Sequence, residues 1–292
     1  MTTPPLIAEK IFSIGEFQVT NAYINSTIAV AVFVLLAYLI KRKIKKIPGT
    51  LQNATEAIIE FLLGYFDQVT QDRKKSLKFL PLVGSLFLFI LFSNWLGMLP
   101  GTGSIGIWEL IHGEKELIPL LRPANSDLNL TLAMATVAVF ASHVFGMFTL
   151  GFFKHWNKFI QLGTLWKAVI SLNPLKILIA LVELVVGIIE LFSEAAKVVS
   201  LSLRLFGNIF AGEVLITVIS GLIAYIVPLP FMALEFLVGG VQATVFSLLT
   251  LVYLTVATSE PHGDEEKEGH EVAATEHGAQ NMEHQKTIIQ AA

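Results

Sequence analysis

A chain of 292 residues in which 54% are hydrophobic and only 15% charged, with a mean hydropathy of +0.67, is too apolar for a water-soluble domain and needs lipid as its solvent. Its net charge of -3 does not point to nucleic acid, because the acids gather in the C-terminal tail and the bases flank apolar runs. The absence of cysteine excludes disulfides, thiolate metal sites and thiol nucleophiles.

Residues 1–22 lack a basic stretch followed by an apolar core and a cleavage site, so no removable signal peptide is expected and this segment is read as lying outside the membrane. Residues 23–40 form a first span, closed by Lys41, Arg42, Lys43, Lys45 and Lys46, a basic flank that belongs in the cytoplasm. Across 48–72, Leu51, Ala54, Ile58, Phe61, Leu62, Tyr65 and Phe66 recur at helical spacing, which predicts an amphipathic helix on the cytoplasmic surface. After Arg73, Lys74, Lys75 and Lys78 comes a second span, 79–99. Residues 100–127 read as a mixed outer loop without basic excess. A third span, 128–153, returns the chain to Lys154, His155, Lys158 and Lys167 inside.

From Pro174 a helical pattern runs to Val227 before Pro228 and Pro230 break it. At 1.5 Å per residue this is about 80 Å of helix for a core of about 30 Å, so a single oblique crossing at 175–227 is expected, rather than two spans with a polar break. A last helix, 231–256, goes back inside. The fold class is thus an all-α multi-pass membrane protein with five crossings, the last two helices long and tilted, the N-terminus outside and the C-terminus in the cytoplasm. The acidic tail from 258 to 292 is expected to be disordered. Its histidines, His262, His270, His277 and His284, suggest weak metal binding less well than a solvated tail.

The chemistry lies on the last two helices. Arg204 places a permanent charge in an apolar stretch, at a cost of about 3 to more than 10 kcal/mol, which mere packing does not require. At 100° per residue, Glu190, Ser193, Lys197, Ser200 and Asn208 fall within about 40° of its direction, a polar stripe about 27 Å long. Glu213 points to about the opposite side, about 13 Å further along. On the last helix Glu235 and Gln242 share a face, with Gly239 and Gly240 between them where another backbone can approach. Glu213 and Glu235 are positioned to face each other across the proline turn.

Each of these residues has a blander reading. Arg204 is open to a structural ion pair with Glu190 or Glu235, and Glu213 with Glu235 to a hydrogen bond that only ties two helices together. Asn208 and Gln242 suit interhelical hydrogen bonds as well as an ion path. His143 reads as a lone packed histidine rather than a proton relay. Glu183, Glu194 and Lys197 read as interfacial groups that snorkel.

The run Ser202-Leu-Arg204-Leu-Phe-Gly-Asn208-Ile-Phe-Ala-Gly-Glu213 resembles the signature of subunit a of the F-type ATP synthase. Ser126, Asp127 and Asn129 before the third span, Asn173 with Pro174, and Gln242, Thr250 and Tyr253 add to the likeness, which covers roughly residues 20–258. The resemblance implies an ion-translocating stator subunit of a rotary motor in a bacterial inner membrane, with a ring of c subunits and the stator subunit b as partners. It implies protons rather than sodium ions as cargo, and neither a cofactor, a metal nor a catalytic site of its own. It further implies two half-channels separated by Arg204, with Glu213, Asn208, Glu235 and Gln242 lining the outer one and Glu190 and Ser193 the cytoplasmic one. One departure stands out: well-known members carry histidine at the position of Glu235, and others exchange Glu and His between this position and that of Glu213, whereas here both are glutamate. Two such carboxylates repel when both are ionised, so the pair is expected to share a proton. The competing class is a self-contained secondary transporter, disfavoured by five crossings without an inverted repeat. A purely structural scaffold would not need Arg204.

Overall fold

Two strands and two helices begin the chain in the computed structural model, which describes residues 8–99, 101–102, 105–111, 114–157, 170, 174–223 and 226–259. The expectations for Lys158, Lys167, Asn173 and the tail beyond Ser259 lie outside the described residues. Strands β1 (Lys10–Ile14) and β2 (Phe17–Thr20) pair antiparallel. The chain continues into α1 (Asn21–Lys43), where the Thr20 side chain accepts from the Tyr23 N–H and caps the first turn. Next come α2 (Thr50–Thr70) and α3 (Arg73–Gly97). The corner between them is tight: Gln71 adopts a left-handed conformation, Asp72 caps α3 by accepting from the Lys74 N–H at 2.8 Å, and Arg73 reaches back to Asp67 at 2.6 Å.

After α3 the structure departs from the expected loop. Strands β3 (Gly106–Ile111) and β4 (Glu114–Pro119) make a second antiparallel hairpin, followed by a single 3₁₀ turn, Ala124–Ser126. Neither hairpin was anticipated from the sequence. Helix α4 (Leu128–Leu150) ends short of the predicted 153, because Gly151 at φ 89° turns the chain out of the helix; α5 (Phe152–Asn157) follows. The long helix α6 (Pro174–Leu222) is continuous over 49 residues, and α7 (Pro228–Thr258) begins three residues before the expected 231, taking both prolines into its first turn, where a missing N–H costs nothing. Among the described residues four helices, α1, α3, α4 and α7, are long and apolar enough to cross a membrane.

The chain divides into two compact units, 1–145 with 188–257, and 146–187 with 258–292. In the first, α3, α4, α6 and α7 meet around Ile90, Ala135, Ala138, Leu201, Leu205, Ile209, Ala243 and Phe246. The three alanines among them, Ala135, Ala138 and Ala243, let helices approach closely, which helps stabilise helix pairs in lipid, where the tails are as apolar as the core. A second cluster joins Leu62 and Phe66 of α2 to Phe79 and Val83 of α3 and to Leu251 and Leu254 of α7. The predicted apolar face of α2 is therefore divided: Leu62 and Phe66 are buried, while Leu51, Ile58, Phe61 and Tyr65 stay exposed. Its C-terminal half docks on the bundle. In the second unit the described residues are the end of α4, α5, Ile170, the start of α6 and two residues after Ala257, with Ala180 and His155 buried.

Candidate functional site

Polar residues collect at one end of the bundle, and the reason is local. Asn21 and Asn25 lie one turn apart on α1 and are fully buried, as are Ser93 and Asn94 on α3 and Asn125 in the 3₁₀ turn. The Asn25 Nδ2 donates to the Arg122 carbonyl at 2.6 Å and to the Ser93 carbonyl at 3.3 Å. Asn125 Nδ2 donates to Ser93 Oγ at 3.0 Å and Asn94 Oδ1 at 2.7 Å. Asn94 in turn donates to the Gly239 carbonyl on α7 at 3.4 Å, and Trp95 Nε1 to the Phe236 carbonyl at 3.1 Å. The segment 119–126 is thus held between α1 and α3, and α3 is tied in turn to α7. It passes so close to α3 that a β-carbon at Gly97 would collide with the Pro123 backbone.

This clasp carries Arg122 into the bundle. Only 2% of its side chain is exposed, and its Nε lies 2.7 Å from Oε1 and 3.0 Å from Oε2 of Glu213 on α6. Glu235 on α7 is 5% exposed. Its carboxyl group rests against Gly212, where a β-carbon would fall 2.7 Å from both Cδ and Oε1. Arg122, Glu213 and Glu235 line one cavity of about 330 Å³, together with Thr102, Thr217 and Ser220. Two carboxylates and one guanidinium leave this cavity with a charge of minus one when all are ionised.

Arg204 lies about 13 Å from Glu213 along α6 and has a different environment. Its side chain is exposed, as are Ser193, Ser200, Asn208 and Ala211 on the same face, while Leu201, Ser202, Leu205 and Ile209 face the core. The exposed neighbours Val199, Leu203 and Leu215 make the surroundings apolar. Among the described residues Arg204 takes part in no ion pair, so the pairing with Glu190 or Glu235 considered above is not what holds it. Glu190 is half-buried lower on α6, and Gln242 half-buried on α7 two turns beyond Glu235.

Of the expected residues, then, the structure brings Glu213 and Glu235 to one cavity and sets Arg204, Asn208 and Ser193 on an outward face. Glu213 is tied to Arg122 rather than to Glu235. Two further readings need correction. Residues 100–127 are not simply a mixed loop, since they deliver a buried arginine. His143 is not a lone packed histidine: its Nε2 lies 3.5 Å from Glu194 Oε2. Lys197 and Glu194 pair with each other at 2.7 Å, with the Lys197 ammonium 5.2 Å from the centre of the Tyr253 ring.

Arg122 was missed because the outer loop was weighed only by its total of basic residues, as a topology argument does. A usable signal was present: one arginine between Leu120, Leu121 and Pro123, followed directly by the polar run Asn125, Ser126, Asp127.

The ATP synthase A chain family matches residues 23–255. The chain is 30% identical over 245 residues to ATP synthase subunit a of Moorella thermoacetica, covering 84% of this chain and 94% of that one. It is 32% identical over 244 residues to ATP synthase subunit a of Gloeobacter violaceus, covering 82% and 84%. A similar relative is ATP synthase subunit a 2 of a Bradyrhizobium species, 29% identical over 257 residues, covering 88% and 97%.

Proposed function

Because the chain belongs to the ATP synthase A chain family, we propose that Arg204 is the electrostatic barrier between two proton half-channels in the stator subunit of an F-type ATP synthase. The subunit is a membrane component of that complex, conducts protons and carries no catalytic site. Its partners are the c-ring and the rest of the complex, subunit b among them. It sits in a bacterial inner membrane with its N-terminus outside and its C-terminus in the cytoplasm.

The observation that carries this reading is an exposed arginine without an ion pair among the described residues, set in an apolar helix face. A charge in that position needs an opposite charge from outside the chain, and a passing ring carboxylate supplies one. The guanidinium cannot give up its proton, so it holds the ionised carboxylate briefly and blocks a direct leak. The carboxyl groups can exchange protons. Glu213, Glu235, Asn208 and Gln242 line the outer path, and the cavity at Glu213 and Glu235 supports that assignment. Glu190 and Ser193 serve the cytoplasmic path.

Absence of native cysteine makes the surface assignment testable. A single cysteine at exposed Asn208 is expected to cross-link to a cysteine placed beside the c-subunit carboxylate, and one at exposed Val34 on α1 is not. The purified chain alone, in vesicles, is expected to pass no protons. Failure of the Asn208 cross-link in assembled complex, or substrate transport by the lone chain, would overturn the proposal in favour of a self-contained transporter.

A further inference from the structure

We infer that Arg122 is a positioning residue that commits Glu213 to a fixed ion pair and leaves Glu235 as the carboxyl group that takes up and releases the proton in the outer cavity. The inference rests on the outer-path reading above and divides its two acids by role. Both oxygens of Glu213 are engaged by one buried guanidinium nitrogen, at 2.7 and 3.0 Å. The Arg122 backbone cannot drift away, because Asn25 holds its carbonyl at 2.6 Å and Pro123 is wedged against Gly97. Protonating Glu213 would take from the buried guanidinium the carboxylate whose two oxygens it holds, whereas Glu235 faces no such constraint: its Oε1 is buried and accepts no hydrogen bond from the described residues.

The charge balance leads to the same division. With Glu213 and Arg122 cancelling, the cavity holds one uncompensated negative charge, on Glu235, and one proton neutralises it. The other acid near Glu213 is Glu9, ahead of β1, whose Oε2 accepts from Asn21 Nδ2 at 3.1 Å. On this view the carboxylate count of two does not mean two exchanging protons. Arg122 is also what allows glutamate at both positions, by supplying the charge that a second acid requires.

The test is ATP-driven proton pumping into vesicles by the whole complex, with assembly checked by co-purification. E213Q frees the Arg122 charge to capture Glu235, and R122Q leaves Glu213 to compete for the proton; each is expected to lower pumping by about tenfold or more. The double variant R122Q/E213Q restores a charge of minus one and is expected to pump at least about threefold better than either single variant, with the pH midpoint of the native complex. E235Q is expected to be inactive and not rescued by R122Q. An assembled double variant no better than its singles, or one that fails while E235Q pumps, would overturn the inference and leave the outer-path reading standing. Native pumping in E213Q, E235Q and R122Q alike would instead sink that reading. Should the double variant not assemble, E235H decides, since an imidazole titrates in its own range: the pH midpoint of pumping is expected to move, and an unmoved midpoint would overturn the inference.

Discussion

Adding one methyl group at Gly212 should stall the motor without unfolding the subunit. In Gly212→Ala the new β-carbon would lie 2.7 Å from the Glu235 carboxyl carbon and Oε1 and 3.0 Å from Cγ, where ordinary contact begins at 3.4 Å. Those atoms are the far end of a flexible side chain, so they retreat by about 0.7 Å or more and the folding cost stays near the lower end of overpacking, about 1 kcal/mol. The complex is expected to assemble. Function is more sensitive, because a displacement of that size at a reacting group costs up to about a hundredfold in rate. Proton pumping is therefore expected to fall by about ten- to a hundredfold, and the shorter acid in Gly212→Ala/Glu235→Asp to recover part of it. Pumping at the native rate in Gly212→Ala would refute the placement of Glu235 in the proton path.

Asn25→Ala leaves the buried carbonyl of Arg122 without its Asn25 donor, so a loss of about 1–3 kcal/mol is expected in thermal unfolding in detergent; a change within about 0.5 kcal/mol would contradict the clasp. At the α2–α3 corner, outside the membrane, the polar neighbours of Asp67, Ser76 first and then the Arg73 guanidinium, hold its carboxyl below its ordinary 3.8. A depressed value means that its contribution is complete above pH 3.8 and is lost as pH falls through the lower folded value. Amide exchange at Gln71 and Asp72 is expected to quicken over that acid range in the native chain and to lose this pH dependence in Asp67→Asn.

How much of this was legible in the sequence follows from what each signal reports. Apolar runs and basic flanks mark helices in lipid, and they located α1, α3, α4, α6 and α7 because the bilayer forces backbone groups to pair within a helix. Helical angle alone put Arg204 and Asn208 together on one face of α6 and Glu213 on another. What periodicity cannot report is contact between segments distant in sequence. Arg122 and Glu213 are 91 residues apart, and the asparagines that anchor Arg122 come from α1, α3 and the 3₁₀ turn. His143 and Glu194 were obscure for the same reason, their meeting depending on how α4 crosses α6. The hairpins escaped because their residues carry no alternation strong enough to stand out beside helices five times as long.

The central claim concerns Arg204, and one measurement addresses it most directly: ATP synthesis driven by an imposed proton gradient in vesicles containing Arg204→Ala complex. The complex is expected to assemble with its c-ring and ATP synthesis to be abolished, since a ring carboxylate passing position 204 would then meet no guanidinium there. Normal coupled synthesis in that assembled variant would contradict the account.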